Sequence, residues 1–164
     1  MSVQLIVFAL VTFLHDLFTA VWVGGLITLG IIVLPSARKV LGAGPQTKQL
    51  MDAIQKRLSV LVYISIVGLA VTGMLQANRN PAFQGLFSFG NPYSTVLTLK
   101  LILVLAMVAV ALIRSLVVGR RNEPATPSRT KLSAGLLFIN IVLGILVILL
   151  TGFAVAFSSG TPPA

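Results

Sequence analysis

Four long apolar runs alternate with short polar stretches along the chain. The first covers residues 3–34, its spanning part about 5–34, and ends at Pro35; the others cover residues 58–77, 94–118 and 132–157. Each reaches the roughly 20 residues needed to cross about 30 Å of hydrocarbon at 1.5 Å per residue. Inside lipid every backbone N–H and C=O needs a partner within the protein, so runs of this kind must be helices. The pattern predicts an all-α fold: an integral membrane four-helix bundle in a single domain over residues 1–164, built as two consecutive helical hairpins. The first run is too long for a simple span, which predicts a tilt or an N-terminal part riding above the membrane.

The polar stretches set the orientation. Loop one, residues 35–57, carries Arg38, Lys39, Lys48, Lys56 and Arg57 against Asp52. Loop three, residues 119–131, carries Arg120, Arg121, Arg129 and Lys131 against Glu123, with Arg114 at its entrance. Loop two, residues 78–93, carries only Arg79. Basic side chains accumulate on the cytoplasmic side, so loops one and three are expected in the cytoplasm and both termini outside, in the plasma membrane. Gly44-Pro45 predicts a helix start, with proline at the first helical position. Leu50, Met51, Ile54, Leu58 and Leu61 follow at helical spacing, an amphipathic lead-in to helix two that suits lipid head groups. Asn91-Pro92 predicts the cap and first position of helix three. Phe83, Phe87, Phe89 and Tyr93 mark loop two as an interfacial segment expected to lid the bundle. Pro45-Gln46-Thr47-Lys48 and Pro127-Ser128-Arg129-Thr130-Lys131 form a faint echo between the two hairpins.

Composition agrees. The chain is 57% hydrophobic and 9% charged, with a mean hydropathy of +1.03, whereas a soluble domain carries about 25% charged residues. Lipid is therefore its solvent and its first partner. The net charge of +9 could suggest nucleic acid, but the cations sit between apolar runs, where they face anionic lipid; no nucleic-acid partner is expected. There is no cysteine, which excludes disulfides, thiolate metal sites, iron–sulfur clusters and cysteine nucleophiles. The N-terminus lacks a basic leading segment, and its apolar run passes the about 7–15 residues of a signal peptide, so no leader is expected.

Ionisable groups inside spans are costly and mark function. His15, Asp16 and Lys100 are the cases here, with Asn140 a polar fourth. Counting from Leu34, His15 lies roughly 28 Å above the inner boundary; counting from Pro92, Lys100 lies roughly 12 Å below the outer one. Topology thus brings both to the outer half of the membrane. Trp22 shares the face of His15 about two turns deeper, and Gly24 and Gly25 leave room for a close helix or a flat ligand. Met74 and Gln76 end helix two on the outer side, and Met107 lies two turns below Lys100. These residues outline an outward-facing pocket with His15 as donor, Lys100 beside it, Trp22 as floor and Met74 at the rim. Plainer readings stand beside this one: an interfacial histidine bonded to a neighbour, Asp16 in outer water, a snorkelling lysine, methionines and tryptophan as core, and Asn140 as an interhelical bond.

The stretch Leu14-His15 … Val21-Trp22-Val23-Gly24-Gly25 resembles the copper resistance protein D (CopD) domain. So do Arg57-Leu58-Ser59 with Val71-Thr72-Gly73, and Tyr93 … Leu97-Thr98-Leu99-Lys100 with Arg114. The resemblance covers about residues 10–120, and helix four matches only in character. It implies a polytopic membrane protein linked to copper uptake or resistance. A related family, the membrane protoporphyrinogen oxidases that bind b-type haem, has a similar His-x6-Trp-x2-Gly helix and a later lysine, which matches His15, Trp22, Gly25 and Lys100. By this resemblance the chain is expected to be the domain alone, and it has Ile113-Arg114 where the copper family has asparagine before the arginine. A half-sized chain suggests a homodimer.

Three functions follow as expectations: copper handling at His15, with Met74 as a second ligand; a b-type haem redox protein with His15 as axial ligand and Lys100 as sixth ligand or propionate partner; and a non-catalytic membrane subunit. An enzyme, if it is one, would be a membrane oxidoreductase. The only histidine rules out bis-histidine haem within one chain. No serine is placed for serine–histidine catalysis, and phosphate-loop and dinucleotide fingerprints are missing. The cysteine-free chain allows a direct test of orientation. An impermeant maleimide on intact cells is expected to label Gln84→Cys and to spare Gly42→Cys until the membrane is opened; the reverse pattern overturns the assignment.

Overall fold

The computed structural model describes residues 3–119 and 127–158; Arg120, Arg121 and Glu123 of loop three lie outside the described residues. The described residues form four helices: α1 (Val3–Leu41), α2 (Pro45–Arg79), α3 (Pro92–Gly119) and α4 (Pro127–Ser158). Each is long and apolar enough to cross a bilayer, and the chain is a multi-pass integral membrane protein. It divides into two compact units, one ending at Arg79 and the other beginning at Asn80.

In the first unit α1 does not stop at Pro35, as the sequence predicts, but runs on to Leu41. Two π-helical stretches, Ala20–Gly24 and Thr28–Val33, interrupt its α-helical winding. The second explains the difference. Proline lacks the N–H that would bond the carbonyl four residues back, and its ring crowds that carbonyl. The wider winding just before Pro35 absorbs both defects. Gly42 ends the helix at φ +71°, a left-handed conformation that glycine adopts without steric cost. Buried Thr47 then closes the turn, its hydroxyl 2.6 Å from Gly42 O and 3.4 Å from Ala37 O. α2 begins at Pro45 as predicted and continues unbroken to Arg79, so the amphipathic lead-in and the span form one rod.

The two helices meet through small residues. Ser65, Gly68 and Thr72 fall three and four residues apart, on one face of α2. His15, Phe18 and Trp22 repeat that spacing on α1. The Phe18 ring lies on Gly68 and leaves no space for a Cβ there, and His15 faces Thr72. Small residues at such a seam let helices approach closely in lipid, where dispersion rather than water drives packing. At the open end the Arg79 guanidinium stands 4.5 Å over the Phe8 ring, a cation–π contact.

This antiparallel register sets Leu58 beside Gly25 and Thr47 beside Ala37.

In the second unit α3 and α4 pack along each other. Met107, Leu137, Ile141 and Val147 are among the buried apolar side chains, with Asn140 and Arg114 also buried. Arg114, counted with loop three from sequence, is thus a buried cation near the end of α3. Residues 80–91 fold back on the first turns of α3. The Ser94 amide donates to Asn91 Oδ1 at 2.7 Å, the predicted cap, and Asn91 Nδ2 donates to Ala82 O at 2.7 Å. Ser94 Oγ donates to Ala82 O at 3.1 Å and Thr98 Oγ1 to Ser88 O at 3.1 Å. Leu86, Phe87 and Phe89 remain exposed, as interfacial aromatics do.

The seam yields a stability test. Gly68→Ala forces Phe18 aside, and overpacking of this kind costs about 1–3 kcal/mol. A lower melting temperature in detergent is expected, partly restored by adding Phe18→Ala. Unchanged melting of Gly68→Ala would show that the ring moves away freely.

Candidate functional site

The site grows out of the α1–α2 seam. His15 is 7% exposed, the histidine's Nδ1 lying 2.9 Å from Thr72 Oγ1. Thr72 is itself buried, and its hydroxyl bonds Gly68 O, one turn back, at 2.6 Å. A Cβ at Gly73 would stand 3.4 Å from His15 Cε1, so the missing side chain lets the imidazole lie against the α2 backbone. Thr19 returns its hydroxyl to His15 O at 2.9 Å, immediately before the first π-helical stretch. Such back-bonding satisfies threonine hydroxyls where no water is at hand.

Trp22 occupies that π-helical stretch and is 2% exposed. Its indole N–H is buried with no hydrogen-bond partner among the described residues. An orphaned buried donor is rare and costly, and it asks for a lone pair. Gly25 sits against the Leu58 side chain, whereas a Cβ at Gly24 would meet nothing within 4 Å. The predicted room at this glycine pair is therefore partly filled by leucine.

Met74 does not join the cluster. It follows Thr72 by two residues, about 200° around the helix, and is 42% exposed. Asp16 is also exposed, on the neighbouring face of α1 from His15. Lys100 is half-buried on α3 and belongs to the second unit, as do buried Met107 and Asn140. The Asn140 Oδ1 is buried without a hydrogen-bond partner among the described residues.

Thr72 is the functional residue that sequence reasoning missed. It stood in the Val71-Thr72-Gly73 motif, but its pairing with a residue 57 positions away depends on helix register. The Ser65, Gly68 and Thr72 stripe was the available signal, since it marks the face of α2 that admits a neighbour.

Chemically, the seam offers one well-held imidazole. Among the described residues no group of three or more His, Cys, Asp or Glu side chains could hold a metal ion. A single imidazole in an apolar seam suits brief retention of a soft ion better than permanent chelation. These features define a class: a helical membrane protein with one buried donor nitrogen inside a transmembrane hairpin. The chain belongs to the copper resistance protein D family, whose model matches residues 52–154. The match takes in most of α2, all of α3 and α4 as far as residue 154, so helix four belongs to the family pattern more fully than its sequence character suggests. It begins after α1, so Thr72 lies inside it and His15 outside. Neither curated proteins nor solved structures yield a match to the chain.

The orphaned amide predicts a neutral or favourable substitution. Replacing a polar group that has no partner by an apolar one of similar shape costs little, so Asn140→Leu is expected to hold or raise the melting temperature in detergent. A drop of several degrees would reveal a partner for the amide.

Proposed function

We propose that the protein handles copper within the plasma membrane, taking the ion at His15 from the outer side, with loops one and three in the cytoplasm. One observation carries the reading: a buried imidazole, held by a hydroxyl, inside a membrane-spanning hairpin of a copper resistance family member. Ionisable side chains in spans are retained against their solvation cost only where they do something. Copper is cargo in this reading. Imidazole is a good ligand for copper, and a site with few protein donors releases its ion readily. Met74 takes no part, since it leaves α2 on another face, and no step is assigned to Lys100.

A second reading has one observation in its favour. The orphaned Trp22 N–H is a donor, and a donor suits an anionic group rather than a cation. His15 and the Trp22 indole N–H would be the groups that hold a b-type haem, which would supply one-electron chemistry. This chain's contribution would be the imidazole and the indole N–H.

Copper(I) titration against a chromophoric chelator, with a visible spectrum of the same sample, separates the readings. One copper per chain without colour is expected, with binding weakened at least about tenfold in His15→Ala, as loss of a principal donor implies. A Soret band abolished in His15→Ala would overturn copper in favour of haem. Neither copper nor colour would overturn both and leave the non-catalytic subunit.

A further inference from the structure

The hydrogen bonds around Thr72 allow one further step. A threonine hydroxyl has a single proton to donate and lone pairs to accept with. Thr72 Oγ1 makes two short contacts, with Gly68 O at 2.6 Å and with His15 Nδ1 at 2.9 Å. A backbone carbonyl oxygen can only accept. Two oxygens 2.6 Å apart with no proton between them repel, so the threonine proton lies on the Gly68 side. The oxygen therefore turns a lone pair toward His15, and Nδ1 must supply the proton of that contact. A neutral imidazole has only one N–H, which makes Nε2 its lone-pair nitrogen.

We infer that Thr72 is a positioning residue that fixes His15 in the Nδ1–H tautomer and thereby presents Nε2 as the donor atom. The donor role of Nε2 rests on the copper reading; the tautomer does not. Three features of the seam hold the arrangement. Thr72 is β-branched, with few χ1 choices in a helix, and its bond to the carbonyl four residues back selects one of them. Gly73 has no side chain and lets the ring settle against α2. Gly68 accepts the Phe18 ring and keeps α1 close enough for a 2.9 Å contact. The chain from Nδ1–H through the hydroxyl to the carbonyl is polarised in one direction, and in a seam of low dielectric each bond strengthens the next. Partners of this kind, behind a ligating histidine, set ring orientation and raise the donor strength of the opposite nitrogen.

The experiment is favourable because the chain has one histidine. Histidine-selective nitrogen-15 labelling gives one pair of ring resonances, and protonated and bare ring nitrogens fall in well-separated regions. Spectra of the metal-free protein in detergent are taken at about pH 8.5, well above the ordinary imidazole pKa of about 6.5. The wild-type protein and Thr72→Ser are expected to carry the proton on Nδ1. Thr72→Val keeps the shape, removes the acceptor and is expected to shift the population toward Nε2–H. Copper(I) affinity should fall about 10–100-fold in Thr72→Val and stay near wild type in Thr72→Ser, the range seen when partners behind a ligand are removed. A wild-type spectrum with the proton on Nε2 overturns the inference, and so does an unchanged Nδ1–H spectrum in Thr72→Val. If Thr72→Val does not fold, as judged by circular dichroism, the wild-type and Thr72→Ser spectra decide. An Nδ1–H spectrum without copper binding supports the tautomer and sinks the copper reading alone.

Discussion

The close approach of α1 and α2 at Gly68 governs what the first unit can do. In lipid, helices gain nothing from hiding apolar surface, because the acyl chains are equally apolar. Two helices stay together only where their surfaces fit and their few polar groups meet. Gly68 supplies the fit by receiving Phe18, and one turn further on Thr72 supplies the polar contact by meeting His15. A methyl group at Gly68 would meet the Phe18 ring, so the ring must give way for the 2.9 Å contact to survive.

The same constraint accounts for the remaining hydroxyls. Thr12, Thr19, Ser59, Thr72 and Thr151 all turn back to the carbonyl four residues earlier. In the first unit the buried His15 imidazole and the Trp22 indole N–H, which has no acceptor among the described residues, are polar features of the same buried face of α1.

Much of the fold was legible in the sequence because lipid imposes so few solutions. Apolar runs of sufficient length had to be helices, and Gly44-Pro45 and Asn91-Pro92 marked true helix starts. Pro35 misled: its usual meaning as a terminator presumes an α-helix around it, and the π-helical winding before it removes that premise. His15 and Trp22 share the buried side of α1, as their spacing implied. Thr72 was not assigned a role, because a hydroxyl in a span looks like any other until register says what it faces. Met74 follows Thr72 by about 200° around α2 and is exposed, an angular relation that end-to-end counting does not carry.

One consequence concerns biogenesis. The imidazole, its hydroxyl partner, the glycine that brings them together and the carbonyl that takes the hydroxyl proton all lie between residues 15 and 72. Everything that pairing requires has been synthesised once the first two helices have been made. The donor nitrogen can be oriented in the nascent chain while the second hairpin is still being translated.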